Sequence, residues 1–459
     1  MNAFREGRFR ADFVVGDTAR SALRQQSSHE HRWPPWGPGR MRIVGDCERE
    51  TDGMVKHDVV VVGGGPAGMM AGLLLARAGV DVLVLEKHAD FFRDFRGDTV
   101  HPATMEILDQ LGWLDEFLRL PHNRVDSAEF TWEDRTYSLA DFSHLRTPAP
   151  FIAMMPQWDL LDFLRDKARA FPGFHLAMCE EVTQLAQEGG RVTGVVTAAG
   201  EEFHARRLVV MADGRSSLVR RKGLLPLHDL GAPIDVLWFE VPKSVSGSRL
   251  RGQIKGGHML VLFERGDYWQ CAFVIAKGQA ARMMAQPIAD LRALVAAAAP
   301  DLPDLERALS DWDQVKLLSV SLDRLEKWHL PGLLAIGDAA HAMSPVGGVG
   351  INLAIQDAVC AANVLAAPLA AERDIDHLLS NVQARRELPV RVVQGVQKLA
   401  HEVVIEPILK SQDGKPREAP LPLRLADRFS RLRRLPARLI GYGFRRERLT
   451  APCAAENAG

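Results

Sequence analysis

Three segments of this chain combine glycine with acidic residues in a way that suits binding of phosphate and sugar groups by main chain. The first runs from Gly63 to Gly68 and has the spacing G-x-G-x-x-G. In this pattern the first glycine forms a tight turn, the second lets backbone approach a pyrophosphate, and the third lets a helix pack closely on a strand. We therefore predict a dinucleotide-binding loop with contacts from Gly63, Gly65, Pro66, Ala67 and Gly68.

An acidic residue, Glu86, ends the next apolar run, Val80–Leu85. A carboxylate at this position can accept hydrogen bonds from an adenosine ribose. We expect Lys87, which follows it, to contribute to the same site. Arg96 lies in the next loop and offers a cation for a pyrophosphate. Gln157 stands at the N-terminal edge of an amphipathic helix pattern and is a further predicted contact.

The other two segments each follow a strand pattern. Asp213 and Gly214 form an Asp-Gly turn after the run 207–211, a second place where main chain can approach a cofactor. The third segment follows the run Gly332–Ile336 and has three glycines within four residues before a long apolar helix pattern, so their N–H groups lack intrahelical partners. The contacts predicted from these two turns are Asp213, Gly214, Gly347, Gly348 and Gly350.

The elements that must position these segments alternate between strand and helix patterns. Four consecutive valines before Gly63 indicate a strand buried on both faces, and an apolar helix pattern follows it. Between 231 and 317 the chain changes to alternating runs, which predict an antiparallel meander. We predict an α/β fold: a Rossmann-like three-layer domain, an inserted antiparallel β-sheet domain and a helical C-terminal region.

The same patterns suggest how the domains divide along the chain. We expect a discontinuous cofactor domain from residues 54–122, 151–230 and 318–395. Residues 123–150 and 231–317 would form the substrate-binding sheet, and 396–459 a helical basic tail. Residues 1–53 lack sustained periodicity, and we predict a disordered extension, with Met41 and Met54 as alternative start sites.

Composition excludes several classes of protein. A formal net charge of −1 gives no electrostatic case for nucleic-acid binding. The five cysteines are scattered without a C-x-x-C pair, which argues against a disulfide framework or a metal site and favours the reducing cytoplasm. No apolar run approaches the ~18 residues of a membrane span, so we expect no transmembrane segment.

Together the three segments resemble the FAD-dependent monooxygenases of the para-hydroxybenzoate hydroxylase type, the single-component, class A aromatic hydroxylases. The family's motifs are G-x-G-x-x-G with a downstream acid, D-G-x-x-S-x-x-R, and G-D-A-A-H…P…G-x-G-x-N. All three are matched, and the likeness runs from about Met54 to Gln394. Met211 departs from the pattern, since many relatives carry glycine two residues before the aspartate.

The resemblance implies FAD as cofactor and NADH or NADPH as a transient co-substrate. It implies that Asp338 holds the ribityl chain and that Pro345, Gly347, Gly348, Gly350 and Asn352 lie against the flavin, with Pro345, Gly347 and Gly348 at its reactive face. Further cofactor contacts that the resemblance implies are Arg220, Gly337 and Ile351. By the same resemblance, oxygen adds to the reduced flavin, and a flavin hydroperoxide hydroxylates an aromatic or polycyclic small molecule. No acid or base is identified; His341 is expected to be structural.

Substrate recognition is expected from the sheet of residues 231–317. Arg251 and His258 are candidates for orienting a polar substrate group. Candidate walls of an aromatic pocket are Trp238, Phe239, Phe263, Trp269 and Phe273.

Alternatives remain at this stage. One is a flavin-dependent reductase or dehydrogenase on the same fold, acting on a polyprenyl or quinone-like substrate. The arginine-rich segment 428–446 is interpreted either as a solvated helical cap or as a basic amphipathic contact with a membrane surface or partner. We expect a cytoplasmic monomer or homodimer whose partners are oxygen and a small hydrophobic substrate.

Overall fold

The computed structural model describes residues 56–92, 99–243, 250–265, 267–410 and 418–454. The predicted extension of residues 1–53 and the predicted cofactor contact of Arg96 lie outside the described residues.

The strands of the described residues follow the sequence patterns closely, with additional short strands at the connections. They are β1 (Lys56–Val62), β2 (Val82–Glu86), β3 (Thr99–Val100), β4 (Asn123–Val125), β5 (Ser127–Trp132), β6 (Arg135–Asp141), β7 (Ile152–Met154), β8 (Phe174–Met178), β9 (Val182–Glu188), β10 (Arg191–Thr197), β11 (Glu202–Met211), β12 (Leu227–Asp229), β13 (Ile234–Pro242), β14 (Leu250–Lys255), β15 (His258–Glu264), β16 (Tyr268–Ala276), β17 (Lys316–Ser319), β18 (Asp323–Leu325), β19 (His329–Leu330), β20 (Leu333–Ala335) and β21 (His341–Ala342).

The α-helices of the described residues include one over the amphipathic pattern that begins at Gln157. They are α1 (Pro66–Arg77), α2 (Pro102–Gln110), α3 (Leu114–Phe117), α4 (Gln157–Ala168), α5 (Leu218–Arg221), α6 (Ala280–Met284), α7 (Ile288–Ala298), α8 (Leu305–Ala308), α9 (Gly350–Ala370), α10 (Asp376–Ala400), α11 (Glu406–Lys410), α12 (Leu421–Arg428) and α13 (Arg434–Tyr442).

The cofactor-side sheet has eight strands, and its central part is parallel. The order is β19-β20-β11-β1-β2-β8, with β10 and β9 attached beside β11. The strand β1 pairs in parallel with both β2 and β11, and β20 and β8 extend the parallel part on either side. The three predicted binding segments follow β1, β11 and β20, so they meet at the carboxyl edge of three neighbouring strands.

Residues of β1 alternate between two hydrophobic clusters. Val59 and Val61 pack with the helix layer of α1, α4 and α9, whereas Val60 and Val62 pack with β9, β10 and Trp328 on the opposite face. All four valines are buried. This confirms a strand covered on both sides and the predicted three-layer α/β arrangement.

A second, seven-stranded sheet has the order β17-β13-β16-β15-β14-β5-β6. It combines strands from residues 127–141 with strands from residues 234–276 and 316–319, joined by the parallel pair β14–β5. Helix α7 covers one face through Leu291 and Val295. The other face carries Val236 and Trp238 and is contacted by Ile405.

The C-terminal region is more closely integrated than its composition predicts. Helix α10 continues without a break across positions 395 and 396, where the sequence patterns placed a domain boundary, and it leads through a π-helical segment, His401–Ile405, into α11. The final described residues return to the main body: Arg446 pairs with Glu106 at 3.0 Å, and Arg77 donates to the carbonyl of Ala451. The arginine-rich segment 428–446 is therefore not a free tail.

One helical stretch of the described residues, Val346–Ala370, is long and apolar enough to cross a membrane by length and composition. This corrects the sequence-based statement that no apolar run approaches such a length. Within its most apolar window, 72% is buried inside the protein, where α9 packs against α1. A buried core helix passes the same composition test as a membrane span.

Candidate cofactor site

The turn after β1 brings the first predicted segment against the second. Gly63 has φ +105, and a Cβ atom there would lie 2.5 Å from the carbonyl oxygen of Ala212. The N–H of Gly63 donates to the carbonyl of Leu85 at 2.7 Å. Glycine is therefore required at this position, both by its conformation and by the close approach of the next strand's end.

Gly68 and Gly65 have opposite surroundings. A Cβ on Gly68 would lie 1.9 Å from the carbonyl oxygen of Gly63, whereas a Cβ on Gly65 would meet no atom within 4 Å. Helix α1 begins directly after Gly65, with Pro66 in its first turn. The first N–H groups of a helix lack intrahelical partners and carry positive partial charge. The open space at Gly65 thus fits a phosphate group.

Glu86 closes the loop from the end of β2. Its carboxylate is buried and accepts hydrogen bonds from the N–H groups of Gly64 at 2.9 Å and His88 at 3.1 Å. Lys87 is exposed beside it, and Gln157 is half-buried at the first position of α4. Contacts of Glu86 with a ribose, and of Lys87 and Gln157 with a cofactor, stay predictions.

The Asp213–Gly214 turn lies directly behind Gly63. One carboxylate oxygen of Asp213, Oδ2, accepts the N–H of Leu218 at 2.8 Å, and the other, Oδ1, is buried. Burial raises the pKa of Asp213 above its ordinary value. Gly214 has φ +80 and open space at its Cβ position. The turn therefore leaves room for a ligand beside the main chain of Gly214.

Arg220 does not face the same space as Asp213. Its guanidinium forms a buried ion pair with Asp323 of β18, and its Nη1 donates to the carbonyl of Arg215 at 3.1 Å. Arg220 thus connects the backbone of the turn that follows Asp213 to β18. Its predicted cofactor contact is not among these interactions.

Arg215 connects the second segment to the third, and sequence reasoning missed it. Its Nε donates to Oδ2 of Asp338 at 3.1 Å, and its Nη2 donates to the carbonyl of Met343 at 3.3 Å. Both partners of this ion pair are about one-third exposed. The only sequence signal was an arginine at a variable position of the D-G-x-x-S pattern.

Gly337 brings the third segment against the first turn of α1. It has φ +58, and a Cβ there would lie 3.0 Å from Cβ of Ala67. Its N–H donates to Oδ2 of Asp357 at 3.0 Å, and His341 contacts the same oxygen at 2.6 Å. Arg386 donates to the other oxygen of Asp357 at 2.8 Å. His341 is buried in this network, as a structural role requires.

The glycine-rich loop before α9 is held at both sides. Gly347 and Gly348 have φ +83 and +63, and the hydroxyl of Thr99 donates to the carbonyl of Gly348 at 2.9 Å. Gly347 is exposed, Pro345 is half-buried, and a Cβ on Gly350 would meet no atom within 4 Å. Behind the loop, Ile351 and Asn352 are buried, and Asn352 accepts a hydrogen bond from Thr104.

Helix α10 clamps the start of this loop through side chains that sequence reasoning did not single out. Gln397 accepts the N–H of Ser344 at 3.2 Å and donates to the carbonyls of Ser344 and Val346, each at 2.9 Å. His401 contacts the hydroxyl of Ser344 at 2.8 Å. The sequence signal that could have identified Gln397 and His401 is their spacing, because polar residues four positions apart lie on the same face of a helix. They fix the backbone on both sides of Pro345.

The five aromatic candidates for a substrate pocket divide between the two faces of the seven-stranded sheet. Phe239, Trp269 and Phe273 pack against α7 and belong to the core of that face. Trp238 and Phe263 lie on the other face, with ring centroids 5.7 Å apart, in a cluster that includes Val346 of the glycine-rich loop. Of the five candidates, Trp238 and Phe263 are the two that share a cluster with a described residue of that loop.

The two polar candidates lie away from that face. Arg251 forms an ion pair with Asp301 at 2.7 Å. His258 stacks on Phe273 and, by strand alternation, shares the face of Leu260 that α7 covers. Their contact with a substrate stays a prediction.

The geometry fits an extended dinucleotide at the carboxyl edge of the parallel sheet. A Cβ atom on Gly65, Gly214 or Gly350 would meet no atom within 4 Å, so each of the three segments has room for a ligand beside its main chain. A strand end, a helix N-terminus and a glycine-rich loop are the places where main chain binds such cofactors.

Comparison with known proteins agrees with this geometry. Residues 56–396 match the model of a family described as "FAD binding domain". The chain is 32% identical over 392 residues to the 6-methylpretetramide 4-monooxygenase of Streptomyces rimosus, covering 84% of this chain and 92% of that protein. It is 28% identical to the 12-dehydrotetracycline 5-monooxygenase/anhydrotetracycline 6-monooxygenase of Streptomyces rimosus subsp. rimosus, covering 77% and 71% of the two chains.

A solved structure supports the fold. The chain resembles PqsL, a probable FAD-dependent monooxygenase from Pseudomonas aeruginosa, with a TM-score of 0.65 at 20% identity, covering 79% of this chain and all of that one. Sequence relatives, the matched family and this structural neighbour all point to one group. The chain belongs to the FAD-binding-domain family and is an FAD-dependent aromatic monooxygenase of the para-hydroxybenzoate hydroxylase type.

Proposed function

We propose that this enzyme hydroxylates a polycyclic aromatic small molecule at the expense of NADH or NADPH. Two relatives are named for reactions on pretetramide and tetracycline compounds. The observation that carries the proposal is the Trp238–Phe263 pair, which lies in one cluster with Val346 of the glycine-rich loop. Stacked aromatic side chains provide a flat apolar surface suited to fused rings.

The three segments would hold FAD along the edge of the parallel sheet. The N–H groups that follow Gly65 suit the pyrophosphate, Asp338 suits the ribityl chain, and the loop from Pro345 to Gly350 suits the flavin ring. FAD supplies the redox chemistry, taking electrons from the nicotinamide co-substrate and activating oxygen.

The chain's own contribution is positioning and exclusion of water. Backbone N–H groups of the loop are placed to stabilise negative charge on a reduced cofactor, as in an oxyanion hole. Gln397 and His401 keep that loop in one conformation. The apolar sheet face with Trp238 keeps water away from the reacting atoms, which oxygen transfer requires.

We further propose that the division of the chain follows function. In this proposal, the three-layer part binds the cofactor, and the seven-stranded sheet binds the substrate. The free cysteines of the described residues, Cys179, Cys271, Cys360 and Cys453, support a cytoplasmic location. Whether the enzyme is a monomer or a homodimer stays a prediction.

The test is a panel of fused-ring phenols incubated with purified, FAD-loaded enzyme. A substrate should accelerate NAD(P)H oxidation, and its product should gain the mass of one oxygen atom, labelled when ¹⁸O₂ is supplied. Asp338→Ala is the matched control and should lose FAD and both signals. Reduction of a panel compound without oxygen, and no labelled product with it, would instead identify a reductase.

A further inference from the structure

The C-terminal region presents an exposed apolar stripe. It runs along α12, the 3₁₀ turn Ser430–Arg433 and the first half of α13. Leu421 and Leu425 share one face of α12, Phe429 follows in extended backbone, and Leu432 and Leu435 lie three positions apart in the next helical segment. These five residues are 39% to 74% exposed.

A basic stripe runs beside the apolar one. Residues 421–438 contain six arginines and a single acidic residue, Asp427. Arg424 pairs with Glu418, and Arg433 pairs with Asp427. The other four are exposed and form no ion pair with any residue in the described ranges: Arg428, Arg431, Arg434 and Arg438. The stripe thus keeps an excess of positive charge.

The third side of this region anchors it to the protein. Ala426 and Ala437 are buried, and Asp427 pairs with Arg135 of β6 at 3.1 Å. A Cβ on Gly441 would lie 2.6 Å from the side chain of Leu145, which shows how closely α13 packs. The apolar stripe is therefore held outward on a fixed base.

A stripe on α10 and the π-helical segment that follows it provides a comparison. Leu388, Val396, Leu399 and Val403 are also 41% to 58% exposed. The charges around them are balanced, because Arg391 lies 3.7 Å from Glu387 and Lys398 lies 3.9 Å from Glu402. The C-terminal stripe differs in having its apolar residues bordered by unbalanced arginines.

We propose that α12, the turn Ser430–Arg433 and α13 together bind the surface of an anionic lipid bilayer. Leucine and phenylalanine side chains enter the boundary between headgroups and acyl chains, while the adjacent arginines contact lipid phosphates. A second copy of the chain is a poorer occupant, because a symmetric contact would bring the arginine rows of both copies together. The surface lies outside the proposed cofactor and substrate sites.

Co-sedimentation of the FAD-loaded full chain with vesicles tests this proposal. We expect binding to vesicles that contain phosphatidylglycerol, weak binding to pure phosphatidylcholine, and release at high salt. Replacing Leu425, Phe429 and Leu432 by serine should lower the bound fraction at least about tenfold. The control, Leu388→Ser with Val396→Ser and Leu399→Ser, should bind like the wild type.

A second variant separates lipid binding from any change in folding. Arg428→Gln, Arg431→Gln, Arg434→Gln and Arg438→Gln alter only exposed side chains and should remove the preference for anionic vesicles at unchanged flavin content. The proposal fails if wild-type binding is absent or independent of lipid charge. It also fails if the serine variant instead abolishes a concentration-dependent dimer in lipid-free solution. Removal of residues 428–446 is not a suitable test, because Arg446 pairs with Glu106.

Discussion

The Nε of Arg215 donates to Oδ2 of Asp338 at 3.1 Å and so joins the turn after β11 to the segment after β20. The pair is about one-third exposed, so its direct contribution to stability is small, about 0.5 kcal/mol. Its effect is to orient a carboxylate that we propose to hold the ribityl chain. The two motifs are therefore joined by a direct ion pair.

Arg215→Ala should weaken FAD binding more than it weakens the fold. Without the guanidinium, Asp338 can rotate, and we expect an FAD dissociation constant about tenfold higher, with the free energy of unfolding of the apoprotein changed by less than about 1 kcal/mol. Flavin fluorescence titration and urea unfolding measure the two quantities. Arg207, which lies 3.6 Å from Glu372 on the protein's surface, gives the control variant Arg207→Ala. Equal losses in both variants would contradict the positioning role.

Two glycines of one motif should respond to alanine in opposite ways. Gly68→Ala puts a methyl group 1.9 Å from the Gly63 carbonyl and should lower the free energy of unfolding by about 1–3 kcal/mol. Gly65→Ala meets no protein atom and has φ −74, so the apoprotein should keep its stability while FAD binding weakens at least about tenfold.

Gly395→Ala is the control for this pair. Gly395 is an exposed position in the interior of α10 with open space at its Cβ, so alanine should stabilise the protein by roughly 0.5–1 kcal/mol without changing FAD affinity. Thermal unfolding and flavin titration of the three variants decide the matter. Unchanged FAD affinity in Gly65→Ala would show that no cofactor atom occupies that space.

Neighbouring residues of β13 provide a test of the substrate face. Trp238→Leu should raise the KM for an aromatic substrate about tenfold, since it removes one ring of the stacked pair. Phe239→Leu, on the face covered by α7, should lower the free energy of unfolding by about 1 kcal/mol and leave KM unchanged. Steady-state kinetics with the substrate found in the panel would measure both. A raised KM in Phe239→Leu alone would reverse the assignment of the faces.

The clamp on the glycine-rich loop should be visible in the flavin spectrum. Gln397→Leu leaves the buried N–H and carbonyl of Ser344 and the carbonyl of Val346 without their partner. We expect a loss of about 2–3 kcal/mol in the free energy of unfolding and a shifted flavin absorbance band, because the loop beside the ring becomes mobile. Lys398→Leu, at the exposed neighbouring position, should change neither. An unshifted band in Gln397→Leu would separate the clamp from the cofactor.

The buried histidines should make stability depend on pH below neutrality. Burial lowers the pKa of His101 below its ordinary 6.5, although its hydrogen bond to the carbonyl of Ile440 acts in the other direction. Below about pH 6.5 the unfolded chain therefore binds a proton that native His101 does not, so the folded state loses stability as pH falls. Each such group contributes a slope of up to about 1.4 kcal/mol per pH unit.

His101→Asn should reduce that slope. Urea unfolding between pH 5 and 7 measures it, and asparagine can keep the hydrogen bond to Ile440. Burial also lowers the pKa of His401, so His401→Asn is an independent second variant. If both variants had the same slope as the wild type, groups other than these two histidines would cause the loss of stability as pH falls.

Several features were predictable from sequence because they depend on local chemistry. The conformation required at Gly63, the apolar periodicity of α1 and the strand pattern of β1 follow from neighbouring residues alone, and they sufficed for the fold class and for the three binding segments. The family resemblance added FAD and monooxygenation, which the comparisons confirm.

Other features depend on which distant residues meet, and only the tertiary structure decided them. Strand alternation places Trp238 and Phe239 on opposite faces, but only the tertiary packing shows that α7 covers the face of Phe239 and that Ile405 contacts the face of Trp238. Arg215 and Arg220 belong to one short motif, yet they pair with different partners. Arg215 forms an ion pair with Asp338, and Arg220 forms one with Asp323. Ion pairs and hydrogen bonds such as that between Gln397 and Ser344 join residues far apart in the chain. The spacing of residues along the sequence does not show which of them come into contact.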